Sequence, residues 1–464
     1  MTIVSDSGLD AFRGTFAGQV IAPGDEGYDE ARSVWNGEID RHPAAIARCT
    51  DAGQVAAAIR FARDEGLEIS VRGGGHNYAG RAVTEGGVMI DLSQMNAVTV
   101  DPTAKKARAG GGATWADFDA ATQAHGLAST GGVISHTGVG GLTLGGGMGW
   151  LTRKAGLSCD NLVGVEIVTA DGQVLHASET QNTDLFWAVR GGGGNFGVVT
   201  TFEFALHEVG PLVNLALLFW PAAQAAAALR IIRDTIAKLP DGMGALVAAA
   251  LSAPPAPFVP EEHHFVNGVA FMVGGWGTPE EHADAIAGAR DALPPLFELI
   301  TPIPYTELQK MLDESAPWGI LAYEKALYLD EMSDEAIDVI ADWVPRKASP
   351  MSLLPIFPLD GAYARVDDDA TAFGGSRATR WVINMDATGP TQELVDADRA
   401  WVRGLWDALR PFANSSGSYV NFLVEQDEER IRASYGDKYA RLQRIKAQYD
   451  PDNVFHLNAN IKPA

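Results

Sequence analysis

Two hydrophobic periods take turns along this chain and predict its elements. Val55, Ala58, Ile59 and Ala62 share one face at helical spacing over 52–65, with Thr50 placed to cap the first turn. Leu67-Glu68-Ile69-Ser70-Val71 then alternates as a strand, giving a β-α-β opening after a short helical lead-in and loop over residues 1–45. Residues 88–92, 98–100 and 107–109 read as short strands, Thr114 with Asp117 as a capping box for a helix from Trp115, 184–189 as a helix and 198–204 as a strand. From about residue 210 strand-like runs at 215–220, 245–251 and 265–273 alternate with helices: 222–239, one led by Thr278-Pro279-Glu280-Glu281, and one from Ser333 through Trp343. That order predicts an antiparallel sheet with helices on one face and its other face free to roof a site. A helix over 391–409 ends at Pro411, 415–422 is extended, and 430–449 is helical and basic. The turn Asp450-Pro451-Asp452-Asn453 leads a tail back to the first domain. Trp343, Trp401 and Trp406 fall at helical positions that fit core packing.

Four glycine clusters interrupt these elements. They are Arg72-Gly73-Gly74-Gly75-His76-Asn77-Tyr78, Gly110-Gly111-Gly112, the run 138–149, and Arg190 to Gly197. A glycine inside an element costs roughly 0.5–1 kcal/mol relative to alanine, so the clusters call for a reason. A large ligand lying along bare backbone supplies one: amide N–H groups close on an anion while the imidazole of His76 stands beside it. No cluster is followed by Lys-Ser or Lys-Thr, and none fits G-x-G-x-x-G opening a helix with a downstream acid, which disfavours a P-loop and a Rossmann site.

Composition narrows the classes further. A formal net charge of −24 and a pI near 4.7 argue against a polyanion, so no nucleic-acid partner is expected. No apolar run reaches the ~20 residues of a membrane helix, and the first seven residues lack the basic and apolar regions of a secretory signal, which predicts a cytoplasmic protein with no membrane partner. Cys49 and Cys159 are too few for a disulfide framework and lack metal-site spacing. His263 and His264, after Glu261 and Glu262, read as solvated surface, and His136 as a candidate contact to substrate or cofactor.

With these motifs assembled, the chain resembles the berberine bridge enzyme-like FAD oxidoreductases of the vanillyl-alcohol oxidase and para-cresol methylhydroxylase (PCMH) flavoprotein superfamily. The likeness runs over roughly residues 35–464. It rests on Arg72 to Tyr78, the 138–149 glycine run followed by Arg153-Lys154-Ala155-Gly156-Leu157 and Asp160-Asn161, and Arg190 to Val199. Thr371-Ala372-Phe373, Tyr419-Val420-Asn421 and Tyr449 to Phe455 continue it. It implies an α+β fold in which a PCMH-type FAD-binding domain is split between both termini, residues 1–209 and 415–464, around an inserted substrate domain at 210–414.

The resemblance also implies FAD held covalently by His76 through the flavin 8α-methyl carbon, where a neutral imidazole can attack. Further cofactor contacts are implied for Arg72, Gly73, Gly74, Gly75, Asn77, Thr137, Gly138, Gly140, Gly141, Gly145, Gly146, Gly149, Gly197, Val199, Asn458 and Asn460. Many relatives carry a second tether, a cysteine before the GxGG cluster; here Ile134 stands in its place, so one covalent bond is expected. Tyr419 matches a tyrosine that serves as catalytic base in many members, with Asn421 on the same strand face and Tyr78 lining the pocket. Met148 stands where plant relatives carry an aromatic that assists that tyrosine. Thr137 matches the position that governs oxygen access and is close in shape to the valine of oxidases. The activity implied is hydride transfer from an alcohol, sugar or amine carbon of a small molecule to flavin N5, with O2 as acceptor, in a monomer or homodimer. A dehydrogenase using another acceptor and a non-catalytic flavin binder are the alternatives.

Overall fold

The structure, a computed structural model, describes residues 6–414, 417–425 and 427–464. The leader reading at residues 1–5 and the start of the 415–422 run lie outside the described residues. The opening β-α-β unit is built on a four-stranded sheet ordered Gln19–Ile21, Ala45–Arg48, Val88–Asp91, Ile69–Arg72, in which the last three strands are parallel. Its helix, Ala52–Asp64, is capped by Asp51 rather than Thr50. The Asp51 carboxylate accepts from the Gln54 N–H at 2.9 Å, while Thr50 Oγ1 accepts from the Gln54 side chain. A five-stranded antiparallel sheet follows, ordered Val98–Asp101, Lys106–Gly110, Val198–Ala205, Leu162–Val168, Val174–Ser178. The predicted Thr114/Asp117 capping box starts the helix Trp115–Gln123.

Residues 212–389 form a seven-stranded antiparallel sheet ordered Phe297–Pro304, Leu212–Pro221, Asn267–Gly275, Gly244–Ser252, Leu354–Pro358, Trp381–Gly389, Leu321–Leu329. Both faces are apolar and the pleat sorts them. Ala216, Leu218 and Trp220 join one core with Val247, Phe271, Val273 and the buried sides of the helices Ala225–Ile236, Pro279–Ala292, Asp334–Trp343 and Gln392–Leu409. Leu215, Leu217 and Phe219 point the other way, into a core shared with Met148 of the third glycine run and with Trp150, Leu151 and Leu157 just after it. Each side chain of this size buried there contributes roughly 1.5–3 kcal/mol, so burial of the second face holds the sheet against the glycine-rich half. A buried bidentate pair between Asp160 and Arg377, at 2.7 and 2.9 Å, pins the same contact.

Three predicted elements differ. The helix foreseen at 222–239 is a 3₁₀ turn, Ala222–Gln224, followed by the α-helix Ala225–Ile236. The helix foreseen at 430–449 is two, Glu428–Tyr435 and Tyr439–Tyr449, parted at Gly436, whose φ of 51° a helix does not allow. Tyr419 to Phe422 is not a strand, since Val420–Phe422 is a 3₁₀ turn. The last helix carries Lys446, fully buried, whose Nζ donates to Asp450 and to the carbonyls of Asn195 and Phe455. Asn195 in turn bonds the backbone of Ala459 and Ile461, so the tail is tied to the fourth glycine cluster.

Candidate cofactor and active site

The strand Ile69–Arg72 delivers the chain to its glycine triplet at the edge of the parallel sheet, where it crosses the start of the third cluster. A Cβ on Gly74 would collide with the backbone of Gly138, and one on Gly138 with Gly74, so side chains at either position would force the two segments apart. Two adjoining cavities open along this crossing. The smaller, about 140 Å³, is lined by Gly73, Asn77, Gly111, Gly140, Gly141, Gly194, Gly197, Val199, Tyr435 and Asn458. The larger, about 310 Å³, takes in Gly73, Gly74, Gly75, His76, Asn77, Tyr78, Thr137, Gly138 and Gly141, and reaches the seven-stranded sheet at Leu246, Phe357, Asn384, Asp386 and Thr388. Arg81, Asn421 and Asn458 border both.

These walls suit a dinucleotide. The amides of Gly74, Gly75, His76 and Asn77 donate to no acceptor among the described residues. A Cβ on Gly141 would meet no protein atom and would project into the shared groove. Arg81 Nε and the Tyr435 hydroxyl are buried without a partner, a donor set that an anionic, hydroxyl-rich ligand would satisfy.

His76 stacks on Trp35, ring centroids 4.6 Å apart, and its Nε2 lies 3.0 Å from Nδ1 of His136. The imidazole borders the cavity but is enclosed by the fold. That enclosure, and secondarily His136, pushes its pKa down to about 3, so it is neutral and keeps its lone pair. Its Nε2 is engaged by His136, which leaves Nδ1 as the other ring nitrogen.

Several residues predicted to touch the cofactor border neither cavity. Arg72 Nη1 donates to the Ala31 carbonyl, Gly145 packs on Asn421, Gly146 on Phe373 and Tyr419, Gly149 on the Gly131 carbonyl, and Asn460 Oδ1 is buried without a partner. Tyr419 is placed differently from its expected position over the pocket. Its hydroxyl accepts from the Gly147 N–H at 2.7 Å and from Asn421 Nδ2 at 2.8 Å, and its ring is buried against Phe373 and Phe422; burial raises its pKa, and the two donors offset only part of that rise. The turn Val420–Phe422 removes the strand geometry that would have put Tyr419 and Asn421 on one face, yet Asn421 still borders both cavities. Ile134 lines the larger cavity where the resemblance places a second tether, while Cys159 is buried in the apolar core beside Asp160.

The structure adds a group that the sequence reading missed. Glu324 and Asp386 stand directly opposite each other on the antiparallel strands Leu321–Leu329 and Trp381–Gly389. Asn384 Nδ2 donates to both, at 3.2 Å to Glu324 Oε2 and 2.8 Å to Asp386 Oδ1. Burial pushes Asp386 up to about 8 and raises Glu324, on which the neighbouring Asp386 charge also acts. The signal lay in the alternation Asn384, Asp386, Thr388 against Ile383, Met385, Ala387: a polar stripe at period two in an otherwise buried strand. Tyr78, in the same cavity, is itself raised by burial and by both carboxyls. Among the described residues no group of three or more His, Cys, Asp or Glu could hold a metal, and no helix is long and apolar enough to cross a membrane.

A glycine-lined groove meets a neutral imidazole at the mouth of a sheet-roofed cavity, and the sequence matches those of FAD-linked oxidoreductases. Residues 43–178 match the FAD binding domain family model, and residues 418–462 match the one for berberine and berberine-like proteins. The (R)-6-hydroxynicotine oxidase of Paenarthrobacter nicotinovorans is 32% identical over 467 residues, spanning 96% of this chain and 97% of that one. The chain belongs to the berberine bridge enzyme-like family of FAD-linked oxidoreductases. Its fold is similar to the crystal structure of 6-hydroxy-D-nicotine oxidase from Arthrobacter nicotinovorans, with a TM-score of 0.83, 29% identity and 97% and 99% of the two chains covered. It is also similar to glucooligosaccharide oxidase from Acremonium strictum, described with a 6-S-cysteinyl, 8α-N1-histidyl FAD, with a TM-score of 0.86, 25% identity and 98% and 99% coverage.

Proposed function

We propose that the protein is an FAD-dependent oxidase that removes a hydride from an alcohol, sugar or amine carbon of a small organic molecule, with O2 as final acceptor. In this reading residues 1–209 and 415–464 hold FAD, and residues 210–414 present the substrate. The observation that carries it is the convergence, in one cavity, of an uncharged His76, unsatisfied glycine amides and the carboxyl of Asp386. His76 is the residue that would hold the cofactor by a single covalent bond, through Nδ1, since His136 engages Nε2. FAD, when bound, supplies an electron-pair acceptor that takes the substrate hydride and is reoxidised by oxygen.

The chain's own part is positioning and proton handling. The amides of Gly74 to Asn77 and of Gly140 and Gly141 bind the cofactor's polar edge and phosphates, with Arg81 adding charge. Asp386 Oδ2, which has no hydrogen-bond partner among the described residues, receives the proton of the substrate hydroxyl or ammonium, and Asn384 holds its Oδ1 in place. Leu246, Leu353, Phe357 and Phe422 exclude water around that oxygen.

Anaerobic mixing of the purified yellow protein with a panel of alcohols, sugars and amines tests the reading. Bleaching of the visible flavin band, followed by recovery with peroxide release on admitting air, is the expected result. Bleaching that air does not reverse would make it a dehydrogenase, and no bleaching with any class would leave a flavin binder.

A further inference from the structure

We propose that the turn at residues 313–316, from the segment that presents the substrate in the oxidase reading, controls attachment of the flavin. By holding His136 it decides which nitrogen of His76 is bare, and His136 takes the proton that attachment releases. The inference rests on the tether reading of His76. It adds two positioning residues, His136 and Asp313, that border neither cavity and act through the tether.

The turn grips the glycine-lined wall at three points. Both oxygens of the Asp313 carboxylate accept from Ser135, one from its N–H at 2.8 Å and one from its hydroxyl at 2.6 Å. The Ala316 carbonyl accepts from Trp35 Nε1 at 2.8 Å, and the Trp35 ring stacks on His76. The same carbonyl accepts from the His136 ring, and the Asp313 charge acts on that ring as well; both favour its protonated form against the burial that opposes it.

These contacts fix the ring hydrogens in series. A carbonyl only accepts, so the His136 nitrogen facing Ala316 carries a hydrogen, and its Nδ1, 3.0 Å from His76 Nε2, is bare. A bare nitrogen also only accepts, so His76 carries its hydrogen on Nε2 and keeps a lone pair on Nδ1. Among the described residues the one other acceptor acting on the ring is the carbonyl of His76 itself, so loss of His136 leaves nothing to hold the hydrogen on Nε2.

The displaced proton then has a place to go. His76 Nδ1 forms the bond to the flavin 8α carbon, and the hydrogen removed from that carbon stays with the isoalloxazine together with its electron pair. His76, now an imidazolium, passes its Nε2 proton to His136 Nδ1, and Asp313 balances the new charge. O2, the acceptor of the proposed activity, takes the two electrons, the isoalloxazine hydrogen as a proton and the proton from His136, and leaves as peroxide.

The test uses the full chain produced without riboflavin. Nitrogen NMR of the histidine-labelled wild type should place the His76 hydrogen on Nε2. FAD is then added and samples are precipitated with acid at intervals: colour in the pellet gives the attachment rate, and absorbance of the desalted native protein gives binding. His136→Phe should bind FAD but attach it about 100-fold or more slowly. His136→Asn, whose side-chain oxygen replaces Nδ1 as acceptor, should keep the wild-type tautomer and still attach slowly, for want of a proton acceptor. Asp313→Asn, which keeps an acceptor for Ser135, should slow attachment about 10-fold. A His76 hydrogen on Nδ1 in the wild type overturns the proposal, as does attachment at the wild-type rate in both His136→Phe and Asp313→Asn. If one variant fails to take up FAD, the wild-type NMR and the other variants decide. Wild-type flavin that washes entirely into the acid supernatant brings down the tether reading and this proposal with it, whereas a covalent wild type with unaffected variants brings down this proposal alone.

Discussion

Replacing Asp386 by Asn keeps the volume and an acceptor for Asn384 while deleting a titration, so its effect on stability can be worked out in advance. The Asp386 carboxyl is pushed from 3.8 in the open chain up to about 8 in the fold, chiefly by burial. A folded pKa raised above the unfolded value means that the native state holds a proton the unfolded chain has released. The associated stability is present in full below about pH 4 and is lost as pH rises toward 8. At about 1.4 kcal/mol per pH unit, the loss between pH 5 and pH 8 is on the order of 4 kcal/mol, an upper figure because Glu324 shares the proton and broadens the titration. Asn384 would still donate to the Asn oxygen, so the variant avoids the charging cost without orphaning its neighbour. Urea unfolding of wild type and variant at pH 5, 6, 7 and 8, with slopes compared to verify that the same surface is exposed, should show the variant gaining steadily on the wild type. Infrared difference spectra should show a protonated-carboxyl band in the wild type that fades toward alkaline pH and is weakened in the variant. A stability difference that stays constant across these pH values would show that Asp386 is ionised throughout, and would refute the reasoning from burial.

With a non-ionic substrate, activity should climb as pH passes through about 8, because Asp386 accepts a proton only when ionised, and Asp386→Asn should flatten that limb in an initial-rate pH profile. His76→Ala should leave FAD bound but releasable, so that acid precipitation leaves a colourless pellet and a yellow supernatant. In the wild type the yield of covalent attachment should be flat between pH 5 and 8, because the imidazole is already neutral there. Gly74→Ala should purify with little or no flavin, read from visible absorbance, since its methyl would occupy backbone space of Gly138 where the two glycine segments cross. Lys446→Met should cost roughly 3–5 kcal/mol in denaturant unfolding, because it leaves the buried Asp450 carboxylate without its cation, held only by the Val454 and Phe455 N–H groups, and frees the carbonyls of Asn195 and Phe455.

The sequence by itself determined whatever is encoded locally. Helical and strand periods located most elements, the capping boxes at Thr114 and Thr278 set two helix starts, and the glycine triplet ahead of His76 marked a wall of the larger cavity. The capping error of one residue at Thr50 and the break at Gly436 lie within the reach of local chemistry, where neighbouring residues compete for the same role. Tertiary structure alone decided two things. Tyr419 fits a catalytic motif by spacing, but the turn after it and the amide of Gly147, far away in sequence, bury its hydroxyl behind the glycine loop. The polar stripe at Asn384, Asp386 and Thr388 is visible locally, but Glu324 and Asp386 become one acid pair only through the register of two strands some sixty residues apart. A side-chain period says which face a residue takes; which partner waits opposite is set by long-range strand pairing, and no local pattern contains it.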